Sequence, residues 1–425
     1  MTERTAGAAH AEAAERRFVL LFLPIAFGFG GRMALVAFNG PLVRLFTDNG
    51  YLIGLLLAVG PLVAAFVNPT VGRVSDRTWT RFGRRIPFAA VGVPLSALVL
   101  FAIPSAPSVT VLLVFFLLRA LLISIGGVPL LSLIPDMTAP ERRGRAMSLL
   151  MIAGGIGAIL IQASGKLFWE SHFEFVFYLT GALGLVTMLP LFGIREPQPE
   201  AHELAAARGR TGSSLRAAWS ALRRGEPIAL FLASASLRQL SVGIVLSYLT
   251  LFAVTDLGIP VGDTALAIAI TGGARLLLAI PAGRLADTWS RKKLLLGTIL
   301  AASLVHLATA SVVRDLPGLY AVLLAGAVVG TLDMIVSGPL FMDLLPPDRR
   351  GELTGVNMVL QNVLRAGGAL LGGAIFAWTG GYRFAYAAAA LCLLASAALL
   401  ARVEVAPAAV PEASASEPPA EGRPR

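Results

Sequence analysis

Apolar runs long enough to cross a bilayer follow one another along almost the whole chain. A helix needs about 20 residues to span the hydrocarbon core. Twelve runs meet that need, at about 18–41, 51–70, 87–104, 109–133, 146–168, 174–194, 227–253, 263–283, 293–313, 318–341, 353–377 and 382–402. In lipid every backbone N–H and C=O must be paired within its own segment, so each run is expected to be an α-helix. Composition agrees: 56% of residues are apolar and 14% charged, against roughly 25% charged in soluble domains. The expected fold class is an all-α integral membrane protein with twelve transmembrane helices.

The chain also repeats itself. GRVSDRTWTRFGRR, from Gly72 to Arg85, returns as GRLADTWSRKK, from Gly283 to Lys293, with Gly72 and Gly283, and Asp76 and Asp287, each 211 residues apart. Thr47-Asp48 recurs as Thr255-Asp256, PDMTAPERRG as MDLLPPDRRG, and Trp79 and Trp169 as Trp289 and Trp378. A nearly fixed offset over six spans argues for duplication and two pseudo-symmetric six-helix bundles. The expected organisation is an N-terminal tail over 1–17, a first bundle over 18–194, a linker over 195–226, a second bundle over 227–403 and a tail over 404–425. Within the linker, Leu215, Trp219 and Leu222 share one helical face beside Arg216, Arg223 and Arg224. That pattern suits a short helix on the membrane surface or a plain solvated linker. The tail, rich in Pro, Ala, Glu and Ser, is expected to be disordered.

The net charge of +10 would suit nucleic-acid binding if it formed a patch, but it does not. The basic residues gather in alternate loops: Arg16 and Arg17; Arg73, Arg77, Arg81, Arg84 and Arg85; Arg142, Arg143 and Arg145; the linker; Arg291 to Lys293; Arg349 and Arg350. The intervening loops are short and carry acids such as Asp48, Glu170, Asp256 and Asp263. The positive-inside rule then places both termini in the cytoplasm, in a multi-pass protein of the plasma (inner) membrane whose partners include the bilayer and no nucleic acid. No small-residue cleavage site follows Arg16-Arg17, so the first run is expected to stay as a span. Cys392 is the sole cysteine and the four histidines are scattered, which leaves no disulfide and no metal site to expect. Gly154, Gly155 and Gly157, and Gly367, Gly368, Gly372 and Gly373, lie inside apolar spans without a following Gly-Lys-Ser or Gly-Lys-Thr. They are read as close-packing residues rather than a nucleotide loop, so no cofactor is expected and the chain is not read as an enzyme.

The duplicated loop, with the Asp…Arg-Arg-Gly loops after helices 4 and 10, resembles the major facilitator superfamily over essentially all of 18–402. The resemblance implies a secondary transporter that alternates between inward and outward states and binds a small-molecule substrate. It implies conformational-switch roles for Gly72, Asp76, Arg77 and Arg84 and for Gly283, Asp287 and Arg291. The longer SDRTWTRFGRRIPF is similar to the corresponding loop of glycoside–pentoside–hexuronide cation symporters and related sucrose transporters, although no Asp or Glu lies inside helices 1 to 6. Physically, Gly72 and Gly283 would allow close helix approach. Asp76 and Asp287 would accept hydrogen bonds from helix starts in the opposite half, after Gly351 and Gly144, where the dipole favours an anion.

Charges at mid-membrane are costly, about 2.5–3.5 kcal/mol each on insertion scales. Arg32, Arg119, Arg238, Arg275 and Arg365 stand near span centres against one acid, Asp333. Such an excess calls for an anionic ligand. Arg32 and Arg238 are 206 residues apart, hence repeat equivalents on helices 1 and 7, and are expected to clamp a carboxylate or phosphate between the halves. That placement is similar to organophosphate antiporters of the superfamily. The alternative is polar contact with Asn39, Gln239 or Gln361, themselves candidate substrate-binding residues. Arg119 resembles the helix-4 arginine of proton-coupled antiporters, with Leu122 and Ile123 where that motif has Gln and Gly. Asp333 is the candidate proton carrier, or the ion-pair partner of Arg365 or Arg275; these four are read as coupling or gating residues. The expected function is transport of a small polar, anionic metabolite by a monomer, coupled to a proton or solute gradient. The alternatives are a proton-coupled sugar symporter, a multidrug exporter and, in another class, a non-transporting receptor or assembly factor.

Overall fold

The structure, a computed structural model, describes residues 2–196, 227–346 and 349–404; the side chains of residues 2–11 and of Asp287 fall outside that description. Among the described residues, twelve helices are long and apolar enough to cross a membrane: α1 Glu12–Arg44, α2 Gly50–Arg77, α3 Ile86–Ser105, α4 Val109–Met137, α5 Arg143–His172, α6 Glu174–Gly193, α7 Pro227–Leu257, α8 Val261–Ala286, α9 Arg291–Ser311, α10 Leu316–Leu344, α11 Arg350–Thr379 and α12 Arg383–Ala401. Most run a turn or more beyond the apolar core read from sequence, because a helix does not stop where the lipid does. Polar side chains fix several starts. Asn49 Oδ1 accepts from Tyr51 N at 2.9 Å before α2, and Asp315 Oδ1 from Gly318 N at 2.9 Å before α10, each satisfying an amide that has no partner within its helix. The proposed linker helix around Leu215, Trp219 and Leu222 and the tail beyond Glu404 lie outside the described residues.

The repeat is visible in the packing. In the first half α1 packs on α5, α2 on α4, α3 on α4 and α3 on α6. The second half pairs its helices in the same way: α7 on α11, α8 on α10, α9 on α10 and α9 on α12. The α1–α5 crossing is a backbone contact; a Cβ at Gly30 would sit 1.9 Å from Gly154 O, and one at Gly157 2.0 Å from Phe27 O. Its counterpart, α7 on α11, closes where a Cβ at Gly368 would meet Leu240 O at 2.2 Å. Close approach of this kind is how helices associate in lipid, where burial against a neighbour has no hydrophobic advantage over burial in acyl chains.

The two halves touch along α2–α11 and α5–α8, with α1 against α7. Near the ends of the spans remote from the termini, the far side, one core joins both halves: Phe38, Leu42 and Ile53 pack with Tyr248, Leu251 and Phe376. On the side of the termini, the near side, the cores are separate, one around Phe18, Ile25 and Leu133 and one around Phe231, Leu295 and Leu340. The molecule is thus sealed at the far side and split at the near side.

Candidate functional site

The duplicated loops act as clasps within each half. Arg84 Nη2 donates to Asp136 Oδ2 at 2.6 Å, tying the loop after α2 to the end of α4. Arg85 Nε lies 2.7 Å from the same carboxylate oxygen, and Arg85 Nη2 3.6 Å from Asp76 Oδ1. In the second half Arg291 Nη1 donates to Asp343 Oδ2 at 2.6 Å, so one geometry serves both repeats. The first copy has a further tie: Glu196, past α6, accepts from the amides of Arg84, Arg85 and Ile86 at 2.9, 2.9 and 2.7 Å. This carboxylate meets the positive end of α3, which favours an anion. Gly83 makes the approach possible with φ +110° and no side chain; a Cβ there would lie 2.6 Å from the Glu196 carboxyl carbon.

These contacts correct one expectation, the helix-packing role of the two loop glycines. Gly72 and Gly283 do not mediate close helix approach: a Cβ at Gly72 would have its nearest neighbour at 3.9 Å, and one at Gly283 would meet nothing within 4 Å. Asp76 is engaged with Arg85 of its own half, and the starts of α5 and α11 stand open, with nothing within 4 Å of a Cβ at Gly144 or Gly351. The cross-half latch is therefore not formed in this conformation. The Asp287 side chain falls outside the described residues. Asp136 and Asp343 are the acids of the repeated PDMTAPERRG and MDLLPPDRRG segments; their pairing with Arg84 and Arg291, 52 residues away along the chain, is not legible from that motif.

The intramembrane charges divide unequally. In the second half Arg238 Nη1 donates to Asp333 Oδ1 at 2.5 Å, with the Asp333 side chain 36% exposed and that of Arg238 11%. Asp333 thus pairs with Arg238, not with Arg365 or Arg275. Arg365 forks onto Gln239 Oε1 through Nε at 3.2 Å and Nη2 at 2.8 Å. The Arg275 guanidinium lies beside Gly330 of α10, 3.7 Å from where a Cβ would stand. Gln361 Nε2 donates to Asn357 Oδ1 at 3.1 Å. Four helices, α7, α8, α10 and α11, therefore bring three arginines, one acid and amide groups to their inner spans.

In the first half Arg32 is 1% exposed and its Nε, Nη1 and Nη2 have no acceptor among the described residues, while its guanidinium carbon stands 5.8 Å from the centre of the Phe29 ring. It lies against α6, with Nη1 3.4 Å from a Cβ position at Gly184. Arg32 and Arg238 consequently form no common clamp: one is enclosed in its own half and the other is paired within the opposite half. Just past Arg32, α1 is interrupted at Leu35. Phe38 N donates to Leu35 O at 2.9 Å, and the freed Ala34 carbonyl accepts from Gln162 Nε2 at 3.1 Å. Asn39 makes no hydrogen bond among the described residues. No group of His, Cys, Asp or Glu among them is arranged to hold a metal.

The far-side seal has its own polar contacts. Lys166 Nζ donates to Asp263 Oδ1 at 2.5 Å, from α5 to α8. Trp378 Nε1 donates to Tyr51 Oη at 2.6 Å, from α11 to α2, and the Arg44 guanidinium stands 4.9 Å over the Phe376 ring. A Cβ at Gly373 would lie 2.3 Å from Gly50 O, so the halves meet backbone to backbone.

Solved structures share the fold. A bacterial homolog of the human lysosomal transporter Spinster, in an inward-facing and occupied conformation, is 18% identical with a TM-score of 0.70, covering 92% of this chain and 97% of its own. The nucleoside transporter NupG is 16% identical with a TM-score of 0.70, covering 91% and 98%. At these identities the likeness is one of fold. No curated protein sequence matches. The Major Facilitator Superfamily model matches residues 20–275 and 232–424, across both six-helix halves, and the chain belongs to that family.

Proposed function

We propose that this secondary transporter moves a small anionic metabolite, held chiefly by the second half. Secondary transport itself, and the absence of an enzymatic role, follow from the family. The observation that carries the finer reading is the Arg238–Asp333 ion pair in the company of Arg275 and Arg365. One acid balances one of three cations, and a carboxylate or phosphate would balance another. Gln239 presents the Arg365 guanidinium by its side-chain oxygen, leaving planar donors suited to a bidentate anion. A substrate anion competing with Asp333 for Arg238 would free that carboxylate to take a proton. Binding and protonation would then be linked without any residue having to move far.

The near-side opening supports an inward-facing state, the near side being cytoplasmic by the positive-inside rule. The test is uptake into liposomes of a panel of organic anions, neutral sugars and cationic drugs, by wild type and Arg238→Gln. Anion-selective uptake that is lost in the variant is the expected result. Sugar uptake that survives it would favour the symporter reading suggested by the loop after α2 and would overturn this one.

A further inference from the structure

The two copies of the repeated loop differ in length, and the extra residues build one wall of a recess. Asp76 and Asp287 are 211 residues apart, but Arg84 and Arg291, which make the equivalent clasps, are 207 apart. The first copy is therefore four residues longer between its acid and its clasp. The added length forms a hairpin. Thr80 and Gly83 exchange backbone hydrogen bonds at 3.1 and 3.0 Å, and Phe82 N donates to Thr80 Oγ1 at 3.2 Å. Glu196 holds the three amides that follow it. At the tip, Phe82 is 60% exposed and the Arg81 guanidinium stands 4.6 Å over its ring. The clasp needs none of this, since Arg291 makes the same bond without a hairpin.

An open recess of about 900 Å³ lies between the hairpin, the start of α3 and the end of α6. Trp79, Phe82, Val91 and Phe192 give it apolar walls, and Arg81 and Arg195 give it charge. Neither arginine has a carboxylate partner among the described residues. Glu196 also borders the recess, but both its oxygens are taken by amides at the start of α3, whose positive end offsets its charge. The recess opens away from the other half: α3 and α6 pack on helices of their own half. Exposed stripes run on from it, Val91, Leu95 and Leu98 along α3 and Val186, Leu189 and Phe192 along α6. We propose that this recess binds one anionic phospholipid of the near-side leaflet, its phosphate held by Arg81 and Arg195 and its acyl chains laid along the two stripes. Guanidinium groups beside an apolar wall suit a phosphate ester that carries hydrocarbon. A free phosphate would make no use of Trp79, Phe82 or the stripes. The apolar residues of the linker come with Arg216, Arg223 and Arg224, which would repel the arginines of the recess. The shorter second loop has no such hairpin, so the lipid would brace the first half alone.

The test is native mass spectrometry of purified full-length protein in neutral detergent, titrated with phosphatidylglycerol or phosphatidylcholine of the same acyl chains. Wild type should bind one phosphatidylglycerol about tenfold more tightly than phosphatidylcholine, the order of effect of two basic residues at a membrane surface. The double variant Arg81→Gln/Arg195→Gln should bring the two lipids to near equality, and Phe82→Ser should weaken both. Both arginines are exposed and lie outside the clasps, so the double variant should keep the wild-type unfolding midpoint in lipid-free detergent. Phosphatidylglycerol with a photoreactive acyl chain should label α3 and α6. Equal binding of the two lipids by wild type, a preference retained by the double variant, or labelling confined to other helices would each overturn the proposal. Displacement of the lipid by glycerol phosphate at comparable concentration would also overturn it and assign the recess to a free phosphate ester.

Discussion

Arg32 and Arg238 occupy equivalent places in the two halves, yet one is enclosed without an acceptor and the other is 2.5 Å from an acid. The difference arises one helix away. Counting by the repeat, Asp333 corresponds to Gly126, and a Cβ at Gly126 would lie 2.6 Å from Val93 N of α3. The first half has no space for an acid at that place because α3 and α4 touch there by backbone. In the second half α10 carries its carboxylate into the interior instead. Duplication has kept the helix pairings and the loop clasps, which are set by glycine contacts and terminal charges. It has not kept the charges in the spans, and transport specificity is argued from those.

Removing the acid should make the second half resemble the first. Asp333→Asn leaves Arg238 without its counter-ion. Breaking a buried pair by deleting one partner costs about 3–5 kcal/mol, but Asp333 is about a third exposed and solvent screening takes part of that. We expect about 2 kcal/mol of stability to be lost, read as a lowered unfolding midpoint, with Asp333→Glu recovering part of it, and a change in proteoliposome uptake besides. Wild-type uptake by Asp333→Asn would show that the pair is incidental to transport.

The loop clasps sharpen the comparison at the near side, where the halves look alike but are not equally strong. Asp136 receives both Arg84 and Arg85 and is 25% exposed, whereas Asp343 receives Arg291 and is 44% exposed. Asp136→Asn should lower stability by about 1–2 kcal/mol and Asp343→Asn by about 0.5 kcal/mol, measured as unfolding midpoints. Equal losses would mean that the second arginine adds nothing.

Sequence made much of this legible, and for identifiable reasons. Apolar length and the fixed offset are properties of single segments and of pairs of segments, so the twelve spans and the equivalence of Arg32 with Arg238 could be counted. Where Arg32 points is decided by α3, α4 and α6 together, which no spacing reports. The Arg238–Asp333 pair joins residues 95 apart on different helices, and sequence offers Asp333 only Arg365 or Arg275, since Arg238 is assigned there to the clamp with Arg32. Glu196 was invisible for another reason: it is one acid in a linker, and its role depends on three amides exposed by a turn at Gly83.

The smallest expected effect lies where the halves are joined. Lys166 and Asp263 cross from α5 to α8 at the far side, with side chains 42% and 29% exposed. A pair so hydrated is worth at most about 1 kcal/mol, against a seam that also buries Phe38, Leu251 and Phe376. Lys166→Ala should therefore leave stability nearly unchanged and shift the balance toward the far-side-open state by a factor of roughly two to five, because the contact exists only while the far side is closed. Distances between spin labels at the far ends of α5 and α8 would report that shift. High salt should mimic it in wild type and have little effect in the variant. Asp263→Ala should produce the same change, and the double variant no more than either single one. Additive shifts would mean that each residue acts through a different neighbour, and the far-side seal would then rest on the apolar seam and the α2–α11 contact alone.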